Sequence, residues 1–158
     1  MATTTHEHTD HIAIKDIEKT LRTVIDSLID GQEGFQKVGD EIKDETIKRY
    51  FLAESLKRAS FRGELEDVLH KEGIHDIKES GTVAGALQRT WGDLKAKLGG
   101  GDHALLESAE QGEDRAKAAY AEALKQHLPL PIHQLLSTQA EHIQDSHDYV
   151  KAVRDGRR

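Results

Sequence analysis

The chain has 158 residues, of which 32% are charged and only 4% aromatic, with a formal net charge of -7 and no cysteine. One ordinary domain is expected; disulfides, thiolate metal sites and cysteine nucleophiles are excluded, a reducing, cytoplasmic setting fits, and no basic face offers itself to nucleic acid. No run approaches the roughly 20 apolar residues of a membrane span, and the opening MATTTHEHTDH lacks the charged and apolar regions of a signal peptide, so neither membrane insertion nor secretion is expected.

The periodicity is helical throughout, with apolar residues recurring at three and four and no strand alternation. Residues 1–13 are too polar to bury and are expected as a disordered tail, whose His6, His8 and His11 have only a loose affinity for metal. From about 14 to 41, Ile14, Ile17, Leu21, Val24, Leu28, Phe35, Val38 and Ile42 share one face of a first helix. Asp44 suits the N-cap of a second, about 45 to 72, with Ile47, Phe51, Phe61, Leu65 and Val68 in its stripe and Gly73 as its stop. A shorter amphipathic piece, about 82 to 98, carries Val83, Leu87, Trp91, Leu94 and Leu98 and ends at three glycines. Asp102 opens a third helix, about 102 to 127, with Leu105, Leu106, Ala109, Ala116, Tyr120 and Leu124 inward. Pro129 and Pro131 separate it from a fourth, about 131 to 155, with Ile132, Leu135, Leu136, Ile143, Val150 and Val153 on its apolar side.

Short links make helices one and two, and three and four, antiparallel pairs, whereas the long second link permits a full-length crossover. The expected fold is therefore all-α: a ferritin-like four-helix bundle over 14–155, its crossover containing a short helix. The strings DGQEGF (Asp30 to Phe35), RASFRGEL (Arg58 to Leu65), GTVAGALQRTWGDLK (Gly81 to Lys95), EQGEDRAKAAYAEAL (Glu110 to Leu124) and HDYVKAVRD (His147 to Asp155) carry a resemblance. The chain resembles a bacterial family of uncharacterised ferritin-like four-helix-bundle proteins, distantly rubrerythrin-like, over nearly its whole length. That resemblance implies an architecture without a reaction.

Many ferritin-like bundles hold two irons between a glutamate on each of two helices and Glu-x-x-His on each of the others. Against the pattern of the rubrerythrin-like relatives, Glu113 stands seven before Tyr120 as required, but the residue seven before Phe35 is Leu28. On helix two the expected Glu-x-x-His reads Arg58-x-x-Phe61, and on helix four it reads Gln144-x-x-His147, with His147 taken as inward and His142 as solvated. A guanidinium and a phenyl ring cannot bind iron, so the di-iron site reads as degraded. The expected replacement is a buried polar network of Glu54, Arg58, Glu113, Gln144 and His147, with Arg58 as the central cation. Of Glu107, Glu110, Glu113 and Asp114, all but Glu113 are expected to be solvated or paired with Arg115 and Lys117.

No Ser/His/Asp arrangement, phosphate loop or dinucleotide fingerprint is present, and no catalytic residue is expected. The expected function is that of a non-catalytic structural, stress-related or interaction protein without a cofactor, acting by self-association or through a protein partner, with Trp91 and the connector as the contact. The alternative is iron storage or a di-iron oxidoreductase, with iron or another divalent metal among Glu33, Glu64, Glu113 and His147.

Overall fold

A computed structural model describes residues 2–74 and 101–156, with side chains from Ile14 onward in the first segment. The connector helix expected over 82–98 and its Trp91 lie outside the described residues. Four α-helices make up the described part: α1 (Ala2–Glu41), α2 (Glu45–Lys71), α3 (Gly101–Leu124) and α4 (Leu130–Asp155). The first starts at Ala2 rather than at the Ile14 expected; nothing in the opening stretch interrupts a helix, since it holds neither proline nor glycine.

The helix ends are set by local chemistry. Asp44 caps α2 by accepting a hydrogen bond of 3.0 Å from the Ile47 N–H, and Lys48 Nζ donates back to the Gly39 and Asp40 carbonyls, which the end of α1 leaves unpaired. Gly73, at φ 89°, turns the chain after α2. The third helix ends at Leu124, before the expected residue 127, because the Lys125 and Gln126 N–H groups tighten onto carbonyls three residues back. Pro131 sits in the first turn of α4, where its missing N–H costs nothing.

The start of α3 is tied to the α1–α2 turn. Asp102 accepts hydrogen bonds from the Lys43 N–H at 2.9 Å and the Asp44 N–H at 3.1 Å. The second helix, 27 residues long and so about 40 Å, has by then run to the far end of the bundle. The chain thus re-enters a full helix length away from where α2 ends, and α1 runs antiparallel to both α2 and α3. The pairs α1–α2, α3–α4 and α1–α3 pack extensively, while α2 and α4 meet only sparingly.

Burial follows the sequence stripes: Ile17, Leu21, Val24, Leu28, Phe35 and Val38 on α1 and Ile42 just after it are all buried. The core, however, is in two pieces. One cluster joins Leu21, Leu28, Phe61, Leu65, Tyr120, Leu136 and Ile143. The other joins Phe35, Val38, Phe51, Leu105, Leu106 and Val150. Each fully buried aliphatic or aromatic side chain in them contributes roughly 1.5 to 3 kcal/mol. Polar side chains lie between the two.

Candidate functional site: a buried arginine layer

The dividing layer is built around Arg58, one of the largest side chains in the protein with almost no exposure, at 1%. Its Nε donates to Glu54 Oε1 at 2.9 Å, one turn earlier on the same helix, and its Nη2 to Glu113 Oε1 on α3 at 2.6 Å. The Ser146 hydroxyl on α4 is 3.4 Å from Nη2. The guanidinium also lies over the Phe35 ring, 4.8 Å from its centroid. Room for it comes from α1, where a Cβ on Gly31 would stand 2.9 Å from Nη1. An i, i+4 pair on α2 and a glycine on α1 thus place a cation on the bundle axis.

The layer extends along α4. His142 Nε2 lies 2.9 Å from both oxygens of Glu54. A carboxylate only accepts, so this ring nitrogen carries the proton. The same ring meets Phe61 edge-on at 5.3 Å. One turn towards the N-terminus, the Gln139 amide donates to the Phe61 carbonyl at 3.3 Å and to Glu64 Oε1 at 3.2 Å, and accepts the Tyr120 hydroxyl at 2.8 Å.

Burial works against both partners of the central pair. For Arg58 it favours loss of the proton, yet the carboxylates of Glu113 and Glu54 more than offset it and hold the guanidinium charged more firmly than usual. For Glu113 burial prevails over the attraction of Arg58 and pushes the carboxyl above the usual range. Its Oε2 is buried with no hydrogen-bond partner among the described residues.

Of the network residues expected from the sequence, the structure brings together Glu54, Arg58 and Glu113. Gln144 is not among them: it is exposed and donates to Asp148 Oδ1 at 2.9 Å. His147 is 8% exposed, but its Nε2 faces Asp114 Oδ1 at 2.9 Å, away from Arg58. The register explains both. Buried positions on α4 are Ile132, Leu136, Gln139, Ile143, Ser146, His147 and Val150, with His147 turned to Asp114 on α3 and the half-buried His142 to Glu54 on α2. The polar i, i+3 pair facing the layer is Gln139-x-x-His142, not Gln144-x-x-His147, and His142 is a member of the network, not a solvated residue. Glu33 and Glu64 are exposed, and Glu33 takes no part in the layer. Asp114 is solvated as expected, with Arg115 near it and His147 Nε2 against it, whereas Glu110 pairs with Arg154.

The sequence carried a signal for Gly31. A glycine inside a long helix costs about 1 kcal/mol against alanine and marks a close approach. Gln139 and Ser146 lie on the apolar row itself, where polar residues three and four from buried ones signal a buried polar layer.

The guanidinium of Arg58 lies between the two buried carboxylates, and Leu28 and Phe61 are buried in the adjoining apolar cluster. With this geometry stand the comparisons. The chain belongs to the family of the domain of unknown function DUF2383, which matches residues 16–126. No curated protein matches it. The DUF2383 match takes in Gly31, Glu54, Arg58 and Glu113, and it ends in the link before α4, which supplies Gln139, His142 and Ser146.

Proposed function

We propose that this DUF2383 protein is a bacterial, ferritin-like bundle of the cytoplasm in which a fixed internal cation stands in the place of a di-iron centre. On this reading it is a non-catalytic structural or stress-related protein that acts by self-association or by binding a protein partner. The observation that carries the reading is the guanidinium of Arg58, enclosed and ion-paired on two sides by Glu54 and Glu113. A di-iron centre would bring four or more positive charges into a space where one is already compensated. The return of the chain at Gly101 beside the α1–α2 turn supports the ferritin-like topology. Among the described residues no helix is long and apolar enough to cross a membrane.

Iron loading tests the reading. After anaerobic incubation of the full chain with ferrous iron and gel filtration, elemental analysis is expected to find no iron that depends on Glu113. Retention of about two irons per chain, lost in Glu113→Gln, overturns the proposal in favour of iron storage or di-iron oxidoreductase chemistry. Light scattering supplies the second arm: self-association predicts a mass above that of one chain, and a strict monomer at high concentration that captures no protein from lysate removes the interaction role.

A further inference from the structure

On the α3–α4 flank, outside the Arg58 layer, three side chains of ligand type converge. Glu110 and Asp114 stand one turn apart on α3, and His147 reaches across from α4; one donor atom from each lies within 4.8 Å of the others. His147 is nearly buried while the Asp114 side chain is 59% exposed, so the ring is held and the cluster is open to solvent on one side.

Both ring nitrogens of His147 face carboxylates. Its Nδ1 is 3.1 Å from Asp148 Oδ1, and its Nε2 is 2.9 Å from Asp114 Oδ1. A neutral imidazole has one N–H, and a carboxylate has none. A neutral ring therefore satisfies one of these two contacts, and the other is met either by a second ring proton or by a cation on that side. Asp148 also accepts a hydrogen bond from the Gln144 amide at 2.9 Å. A carboxylate on Nδ1 that fixes the tautomer and aims Nε2 outward is the arrangement found behind metal-ligating histidines. Acids outnumber bases here: Glu107, Glu110, Asp114, Asp148 and Asp155 stand against Arg154, Lys117 and Arg115, with His103 beside Glu107. Arg154 pairs with Glu110 and with Asp155, and is the group a metal ion would have to displace.

We propose that Glu110, Asp114 and His147 bind one divalent metal ion of the zinc type, with water completing a four-coordinate shell and Asp148 as the positioning residue. The site lies apart from the Arg58 layer and does not depend on the reading of that layer.

Zinc chloride is the probe, titrated calorimetrically at about pH 8, where imidazole is mostly neutral. The host is the full chain with His6, His8 and His11 changed to alanine, which removes adventitious binding there. One saturable zinc per chain is expected, lost in His147→Gln and in Asp114→Asn. Asp148→Asn, which removes no ligand, is expected to weaken binding about tenfold to a hundredfold. Arg154→Gln frees Glu110 and is expected to tighten it. Cobalt substituted for zinc is expected to show visible d–d bands that vanish in His147→Gln, a readout that a folding defect checked by circular dichroism would not mimic. Absence of saturable one-to-one binding overturns the proposal and leaves His147 as an imidazolium between two carboxylates. Zinc that survives His147→Gln but is lost in Glu113→Gln overturns it as well, and places the ion in the interior instead.

Discussion

Two places in this bundle bring histidine, carboxylates and a guanidinium together, and they differ in where the positive charge comes from. In the layer between the two apolar clusters, Arg58 supplies it permanently: the side chain is covalently present, 1% exposed, and held by Glu54 and Glu113. On the α3–α4 flank, Asp114 is exposed, Arg154 is held at the rim, and His147 lies between two carboxylates. The same residue types at the same helical spacing therefore do different work. A closed site must carry its own counter-charge, because an unpaired ion there has no water to turn to. An open site can take its cation from solvent.

The largest expected effect comes from breaking the closed site. Arg58→Met keeps the stem volume and leaves two buried carboxylates uncompensated; chemical denaturation is expected to show a loss of about 3 to 5 kcal/mol. Exchanging the whole triad, Glu54→Leu with Arg58→Met and Glu113→Leu, is expected to recover most of that loss, since no charge is then stranded. A triple variant as unstable as the single one would mean that the layer contributes attraction and not merely compensation.

A second test uses the space at Gly31. Gly31→Ala puts a methyl group 2.9 Å from Arg58 Nη1, and the guanidinium, fixed by its ion pairs, has to shift, at a cost of about 1 to 3 kcal/mol. In the Arg58→Met background the same change meets a flexible thioether and is expected to stabilise by up to about 1 kcal/mol through helix propensity. A double-mutant cycle that came out additive would count against close packing of this pair.

His142 and Gln144, two residues apart on α4, separate the inner from the exposed side. His142→Ala removes a partner of Glu54 and is expected to cost about 1 to 2 kcal/mol, whereas Gln144→Ala, on the exposed side, is expected to stay within about 0.5 kcal/mol. Equal effects would contradict the register described above.

The smallest effect is a pH dependence at Asp30, next to Gly31 on α1. Burial first, and then the Asp26 carboxylate, push its carboxyl up to about 6 against the pull of Arg115. Its Oδ1 is buried without a hydrogen-bond partner among the described residues. With the folded value raised above the unfolded one, the native state holds the proton longer, so this group lowers stability progressively as pH rises from about 4 to about 6. Asp30→Asn is expected to stabilise the protein above that window by about 1 kcal/mol, the partial exposure of the group screening the rest, and to change little below it. Thermal melts at both pH values check the sign.

The four helices, the cap at Asp44, the first-turn position of Pro131 and most of the buried stripes were legible in the sequence, because hydrophobic periodicity and capping act within a few residues of chain. The place of Arg58 on the inward stripe of α2, between Phe51 and Phe61, was legible for the same reason. Which side of α4 faces it was not. Gln139, His142, Ser146 and His147 differ by fractions of a turn, and a rotation of the helix by one position exchanges a member of the layer for a member of the flank. The angle at which α4 sits is settled by packing of Leu136, Ile143 and Val150 against the other helices, a long-range contact that no local pattern encodes. Residue types and spacing determined what charges the bundle carries; only the rotation of its helices decided which of them meet inside and which are left facing water.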